Sequence, residues 1–187
     1  MKTELRKHLP PLIVIFLLTS VFWFFRQVSL YNYFYLFLGL VVGAFFLDID
    51  HLIYWLYLNP NTDESRLGQL AIKKYDFRSI IKLLESTHKK HVSLVFHHFF
   101  FQVVLAAISV FILTSSGNSF AMAFILALNI HLIVDEIDDY HTNKPHLQNW
   151  LFARESKQLP QAYLFHYIAI FSILSFIFFL MLSFYRS

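Results

Sequence analysis

An all-α polytopic membrane helix bundle is the fold class predicted for this chain. Three observations predict it: a charge-poor, aromatic-rich composition, five long apolar runs, and Lys and Arg gathered on alternate connections. Of 187 residues, 57% are hydrophobic and 14% charged, with 23 Phe, 10 Tyr and 3 Trp. A soluble domain carries roughly a quarter charged residues, so the chain lacks the polar surface that water requires. Four Gly and five Pro exclude a collagen-like or low-complexity polymer, and the Phe content excludes a disordered one. With no Cys, a disulfide scaffold, a thiolate metal site, a Cys nucleophile and an iron–sulfur cluster are all excluded. A net charge of +3 is too weak to suggest nucleic acid as a partner.

The apolar runs predict spans over residues 9–25, 31–58, 92–115, 119–134 and 162–185, all within one integral membrane domain, 1–187. The first and fourth are short for a ~30 Å hydrocarbon core, which takes about 20 helical residues. Aromatic clusters at Trp23–Phe25, Tyr31–Tyr35 and Tyr54–Tyr57 suit interfacial belts. The first run has the charged and apolar regions of a signal peptide, with Lys2, Arg6 and Lys7 ahead of it. It lacks a small-residue cleavage site, which predicts a retained anchor. Of the Lys and Arg, three precede the first run, seven lie in loop 59–90 and three in loop 136–161, against Arg26 and Arg186 on the other side. That 13 to 2 division predicts a cytoplasmic N-terminus, an external C-terminus and an inner (plasma) membrane location. Asp76–Lys89 places Phe77, Ile80, Ile81 and Leu84 at helical spacing opposite basic residues, which predicts a helix on the inner leaflet. Pro145–Lys157, with Trp150, Leu151 and Phe152, predicts a second such helix.

The informative residues are ionisable ones inside apolar runs. Asp48, Asp50 and His51 interrupt the second run, His97 and His98 the third, and His131 and Asp135 the end of the fourth. A charge at a helix centre costs about 2.5–3.5 kcal/mol on insertion scales, so such residues are kept where they pair or bind a cation. At about 1.5 Å per residue, Asp48 and His98 each lie about 26 Å from the outer boundary, and His131 and Asp135 about 18 and 24 Å. Three helices of alternating direction thus bring their polar residues to one level. His131 and Asp135 (i, i+4) share a helix face, as do Asp48 and His51 (i, i+3), while Asp50 is turned by about 200° from Asp48 in a regular helix. Imidazole mixed with carboxylate suits Zn²⁺, Mn²⁺ or Fe²⁺, whereas an all-oxygen set suits Mg²⁺ or Ca²⁺. Asp50, His51, His131 and Asp135 are the expected ligands, completed by His97 or His98, and Asp48 is the expected general base or orienting carboxylate. His88 and His91 read as rim residues and His141 as a downward extension, while His8, His146 and His166 read as unremarkable.

Two of these segments carry a family resemblance. Gly43-Ala-Phe-Phe-Leu-Asp48-Ile-Asp50-His51 resembles the G-x-x-x-P-D-x-D-H motif of the YdjM-like membrane-bound metal-dependent hydrolases, and His131-Leu-Ile-Val-Asp135 resembles their H-x-x-x-D motif. Leu47 stands where that family has Pro, and its H-R-G-x-T-H-S element is represented only by His97–His98, or by His91 with His97. The resemblance implies a small inner-membrane protein with a metal-dependent hydrolytic activity.

The expected function is therefore hydrolysis at the cytoplasmic leaflet. A bound cation would lower the pKa of its water for attack on an ester or phosphoester, and the depth of the site points to membrane lipids or lipid-linked substrates. The competing readings are a divalent-cation transporter or non-catalytic metal-binding protein, a di-iron lipid enzyme suggested by His88, His91, His97 and His98, and a structural protein whose polar groups pin helix packing. The di-iron reading requires about eight histidines in dense boxes, which the later segments lack.

Overall fold

The apolar runs become helices, and their ends fall where side chains outcompete the helical ladder. The structure, a computed structural model, describes residues 2–87 and 90–184, with side chains from Arg6 onward. Its helices are α1 (Lys2–Phe25), α2 (Leu30–Phe46), α3 (Ile49–Ile53), α4 (Asp63–Lys73), α5 (Phe77–Thr87), α6 (Phe99–Ser115), α7 (Ser119–Thr142), α8 (Lys144–Leu151) and α9 (Leu164–Ser183). A wide turn over Tyr54–Leu58 continues α3, and a tight turn over Gln161–Tyr163 leads into α9. No strand occurs among the described residues. Four segments are long and apolar enough to cross a membrane: Arg6–Phe25, Leu30–Leu58, Ser119–Thr142 and Gln161–Ser183. His88, expected at the rim, and Arg186, counted at the C-terminal end, lie outside the described residues.

Where the helices depart from the predicted spans, polar chemistry explains the change. The third run was expected to be helical from Val92, but α6 begins only at Phe99. The carboxylate of Asp50 accepts the backbone N–H of Val95 (2.9 Å), Phe96 (2.5 Å) and His97 (3.3 Å), so those donors are lost to a helical ladder. His98 then caps α6, its Nδ1 accepting the Phe100 N–H at 3.3 Å. His97 and His98 therefore lie on a non-helical approach segment, and the 17 residues of α6 rise only about 26 Å. The fourth run was expected to end near Val134, whereas α7 continues to Thr142 and carries buried Asp135, Glu136 and Asp139. The first helix likewise reaches back to Lys2, ahead of the tandem prolines Pro10 and Pro11, and this places Lys7 and His8 on it.

Small residues set the closest packing. Gly39 and Gly43 of α2 face Ala123 and Ala127 of α7 so tightly that an added Cβ would stand 2.5 Å from the Phe120 carbonyl oxygen and 2.7 Å from the Ala127 Cβ respectively. This small-x-x-x-small seam lets two backbones touch, which suits association in an apolar medium where burial alone gives no drive. α7 forms the centre, and α1, α2, α6 and α9 pack around it. Trp23 at the end of α1 is buried and donates its Nε1–H to the Leu182 carbonyl (3.2 Å), so α1 and α9 end together. His8 lies at the other end, beside the late residues of α7. The bundle thus starts at one end and finishes at the other.

The two segments expected on the leaflet surface form helices, each with company. Asp76 caps α5, accepting the Ser79 N–H (3.1 Å) and hydroxyl (2.7 Å), and these bonds hold its carboxyl below the usual range. The sequence reading missed α4, capped by Thr62, whose hydroxyl accepts the Ser65 N–H at 3.2 Å. α8 is shorter than expected. Its Leu147, Trp150 and Leu151 are buried against Leu164 and Ile168 of α9, so its apolar face is spent inside the protein.

Candidate metal centre

A break in the second apolar run separates the two acids of the D-x-D-H segment. After Phe46 the chain makes i to i+3 hydrogen bonds, Asp50 N–H to Leu47 O (2.9 Å) and His51 N–H to Asp48 O (3.2 Å), before α3 resumes. Asp48 then faces α7, its Oδ1 3.8 Å from His131 Nε2. Asp50 faces the approach segment, where both oxygens accept backbone N–H groups.

The α7 face supplies the centre. His131 Nδ1–H donates to the Ala44 carbonyl at 2.6 Å, which leaves Nε2 as the lone-pair nitrogen. That nitrogen lies 3.2 Å from Asp135 Oδ2, one helical turn on. Asp135 Oδ1 faces His8 Nε2 at 3.3 Å, and the His8 and His131 rings stack at 4.1 Å. All three residues are at most 7% exposed, and one ligand atom of each lies within 4.8 Å of the others, close enough to hold a metal ion. His97 approaches from the non-helical segment, with Nδ1 3.3 Å from Asp50 Oδ2 and Nε2 3.6 Å from Asp135 Oδ2. Asp50 thus orients His97 as carboxylates orient ligand histidines. The buried atoms His131 Nε2, His97 Nε2 and Asp135 Oδ2 have no hydrogen-bond partner of good geometry. Orphaned lone pairs are costly in a dry interior, and a cation held by His8, His131 and Asp135 satisfies those of His131 and Asp135 together.

The other expected residues lie apart from this point. His51 Nδ1 meets His91 Nδ1 at 2.6 Å, and His91 Nε2 meets Glu64 Oε1 at 2.5 Å, under the stacked ring of Tyr54. His51 is thus the inner member of a Glu64–His91–His51 chain, with its ring 5.9 Å from that of His97. His98 turns the other way, its Nε2 3.9 Å from Glu155 Oε1. His141 and His166 are exposed. Glu136, fully buried on another face of α7, lies near Gln102, which accepts the hydroxyl of Tyr167.

Sequence reasoning missed His8, Asp139 and His146. His8 carried a signal: it stands 17 residues before Phe25, the same depth of about 26 Å as Asp48 and His98. Asp139 and His146 carried none, because their relation spans the α7–α8 turn. A cavity of about 30 Å³ adjoins the centre, bordered by His91, His97, Asp135, Asp139 and His146. It has room for one water-sized guest.

In comparison with known proteins, the chain matches no family model, no curated protein and no solved structure, so its chemistry must be read from these side chains.

Proposed function

We propose that the protein is a metal-dependent hydrolase embedded in the inner membrane, N-terminus cytoplasmic, acting at the cytoplasmic leaflet on a lipid or lipid-linked ester or phosphoester. The observation that carries this reading is the convergence of His8, His131 and Asp135 within 4.8 Å. The D-x-D-H and H-x-x-x-D resemblance and the Lys and Arg distribution support it. His8, His131 and Asp135 hold the ion and His97 is the additional ligand. The imidazole share favours Zn²⁺, Mn²⁺ or Fe²⁺ over Mg²⁺ or Ca²⁺. When bound, such a cation polarises an ester oxygen and acidifies a coordinated water.

The protein's own groups do the rest. Asp48, with a 24% exposed side chain, is open enough to exchange protons with solvent and close enough to receive one from the attacking water at Oδ1. Asp50 holds His97 in place through the approach segment. Between α4 and α5 lies an open cleft of about 430 Å³, lined by Leu67, Leu70, Leu83, Lys74 and Lys82 together with Asp76. Apolar walls with two ammonium groups suit an acyl chain carrying a phosphate.

The outer half of the bundle weighs against transport. Among the described residues, its buried side-chain pairs, Asn129 to Ser109 (2.8 Å) and Thr19 with Ser183 (3.4 Å), are neutral and offer a cation no charge to move along. The test is metal content of the protein purified in detergent, beside a His131→Ala/Asp135→Ala variant, followed by a phosphoester screen in vesicles. A near-stoichiometric ion lost in the folded variant, with ion-dependent phosphate release, is expected. Absence of metal after incubation with Zn²⁺ and Mn²⁺ would overturn the reading.

A further inference from the structure

His131, Asp135 and Asp139 follow one another at i, i+4 and i+8, so α7 presents a single stripe of ligand-type residues over two turns. Asp139 lies at the foot of this stripe and does not act alone. Its Oδ2 accepts His146 Nδ1–H at 2.7 Å and Trp150 Nε1–H at 2.8 Å. The first bond makes Nε2 the lone-pair nitrogen of His146, and that atom is buried without a hydrogen-bond partner. The arrangement repeats what Asp50 does for His97: a carboxylate grips one imidazole nitrogen and aims the other.

Both aimed histidines border the same cavity of about 30 Å³, together with Asp135. His97 and Asp135 are 4% and 7% exposed, and His97 Nε2 and Asp135 Oδ2 lie 3.6 Å apart, each without a hydrogen-bond partner. Charge points the same way. Asp50, Asp135 and Asp139 are all buried, whereas no Lys or Arg is buried among the described residues. Lys7, at the cavity edge, is tied to Asp138 at 2.7 Å, and that pair cancels itself. One divalent cation leaves this group of buried carboxylates with an excess of negative charge, and a second reduces it.

We infer that the cavity bounded by His97, Asp135 and His146 is a second divalent-cation position, with the Asp135 carboxylate shared between the two ions. The inference rests on the first centre being a metal site, and adds to it a two-ion architecture in which the α7–α8 turn supplies a ligand. With two ions bound, the single lone pair on His97 Nε2 goes to this second ion and the first keeps His8, His131 and Asp135. Two imidazoles and a carboxylate select Zn²⁺ or Mn²⁺ here as well. Paired cations clamp the attacking and leaving oxygens of a phosphoester, which fits the substrate class proposed above.

The experiment is metal stoichiometry of the full chain in detergent, loaded with Zn²⁺, freed of excess ion and measured by elemental mass spectrometry. The wild type, His146→Gln, His131→Ala and the exposed-histidine control His166→Gln are compared, each checked for helicity and elution. Two ions per chain in wild type and His166→Gln, falling to one in His146→Gln, is the expected result. One ion in wild type overturns the second position and leaves the first standing. None overturns both, and two retained in His146→Gln overturns the assignment. Should His146→Gln not fold, the Mn²⁺-loaded wild type decides by electron paramagnetic resonance. A spin-coupled pair supports the inference, and isolated-ion spectra at full loading sink it.

Discussion

The Nδ1 of His131 lies 2.6 Å from the carbonyl oxygen of Ala44, across the seam where α2 and α7 touch. This bond chooses the imidazole nitrogen that faces Asp135, and it exists only because Gly39 and Gly43 let the two backbones approach. Packing of two apolar helices and orientation of a candidate ligand are thus one event.

Gly43→Leu should therefore damage both. Its side chain would meet Ala127 Cβ and the Phe124 carbonyl at 2.7 Å, neither of which is a flexible chain end. Overpacking of this kind costs about 1–3 kcal/mol, and we expect a lower melting temperature in detergent together with reduced Zn²⁺ content. Unchanged melting and metal content would show that the seam does not position His131.

The two adjacent histidines should behave oppositely. His97→Ala removes the Nε2 that faces Asp135 and should weaken metal affinity at least 10-fold, whereas His98→Ala removes a helix cap and should leave affinity within error. Competition with a fluorescent chelator reads both constants. Equal losses would contradict the assignment.

Asp50→Asn keeps the shape but gives up half the accepting capacity that holds Val95, Phe96 and His97. Faster hydrogen exchange at those amides is expected, with metal affinity lowered about 10- to 100-fold because His97 is no longer held. Protection at wild-type levels would mean that the approach segment is held by other contacts.

Acid should loosen α5 before the bundle. The hydrogen bonds from Ser79 lower the Asp76 carboxyl, so its capping contribution is present above the unfolded-state value and is lost as pH falls through the folded one. Exchange at the first turn of α5 should accelerate in acid, and Asp76→Ala should show the fast rate already at neutral pH.

The predicted site splits along a physical line. Asp48, His131 and Asp135 come together as their spacing and depth suggest, since i, i+4 positions and the rise of a helix are properties of the chain alone. His51 and His98 are diverted by partners, His91 and the Phe100 amide, that no periodicity reveals. Asp50 keeps its place beside the centre but spends its oxygens on backbone amides 45–47 residues away.

By itself, the sequence determined the helical class, the apolar runs and the common level of the polar residues. Each follows from local hydrophobicity and a constant rise per residue. Only the tertiary structure decided which nitrogen of each histidine is presented, that His8 and His146 join the polar end, and that the third run starts its helix at Phe99. These outcomes depend on hydrogen bonds between residues far apart in the chain, such as the 87 that separate His131 from Ala44. A buried polar group takes whichever partner the folded backbone brings within reach.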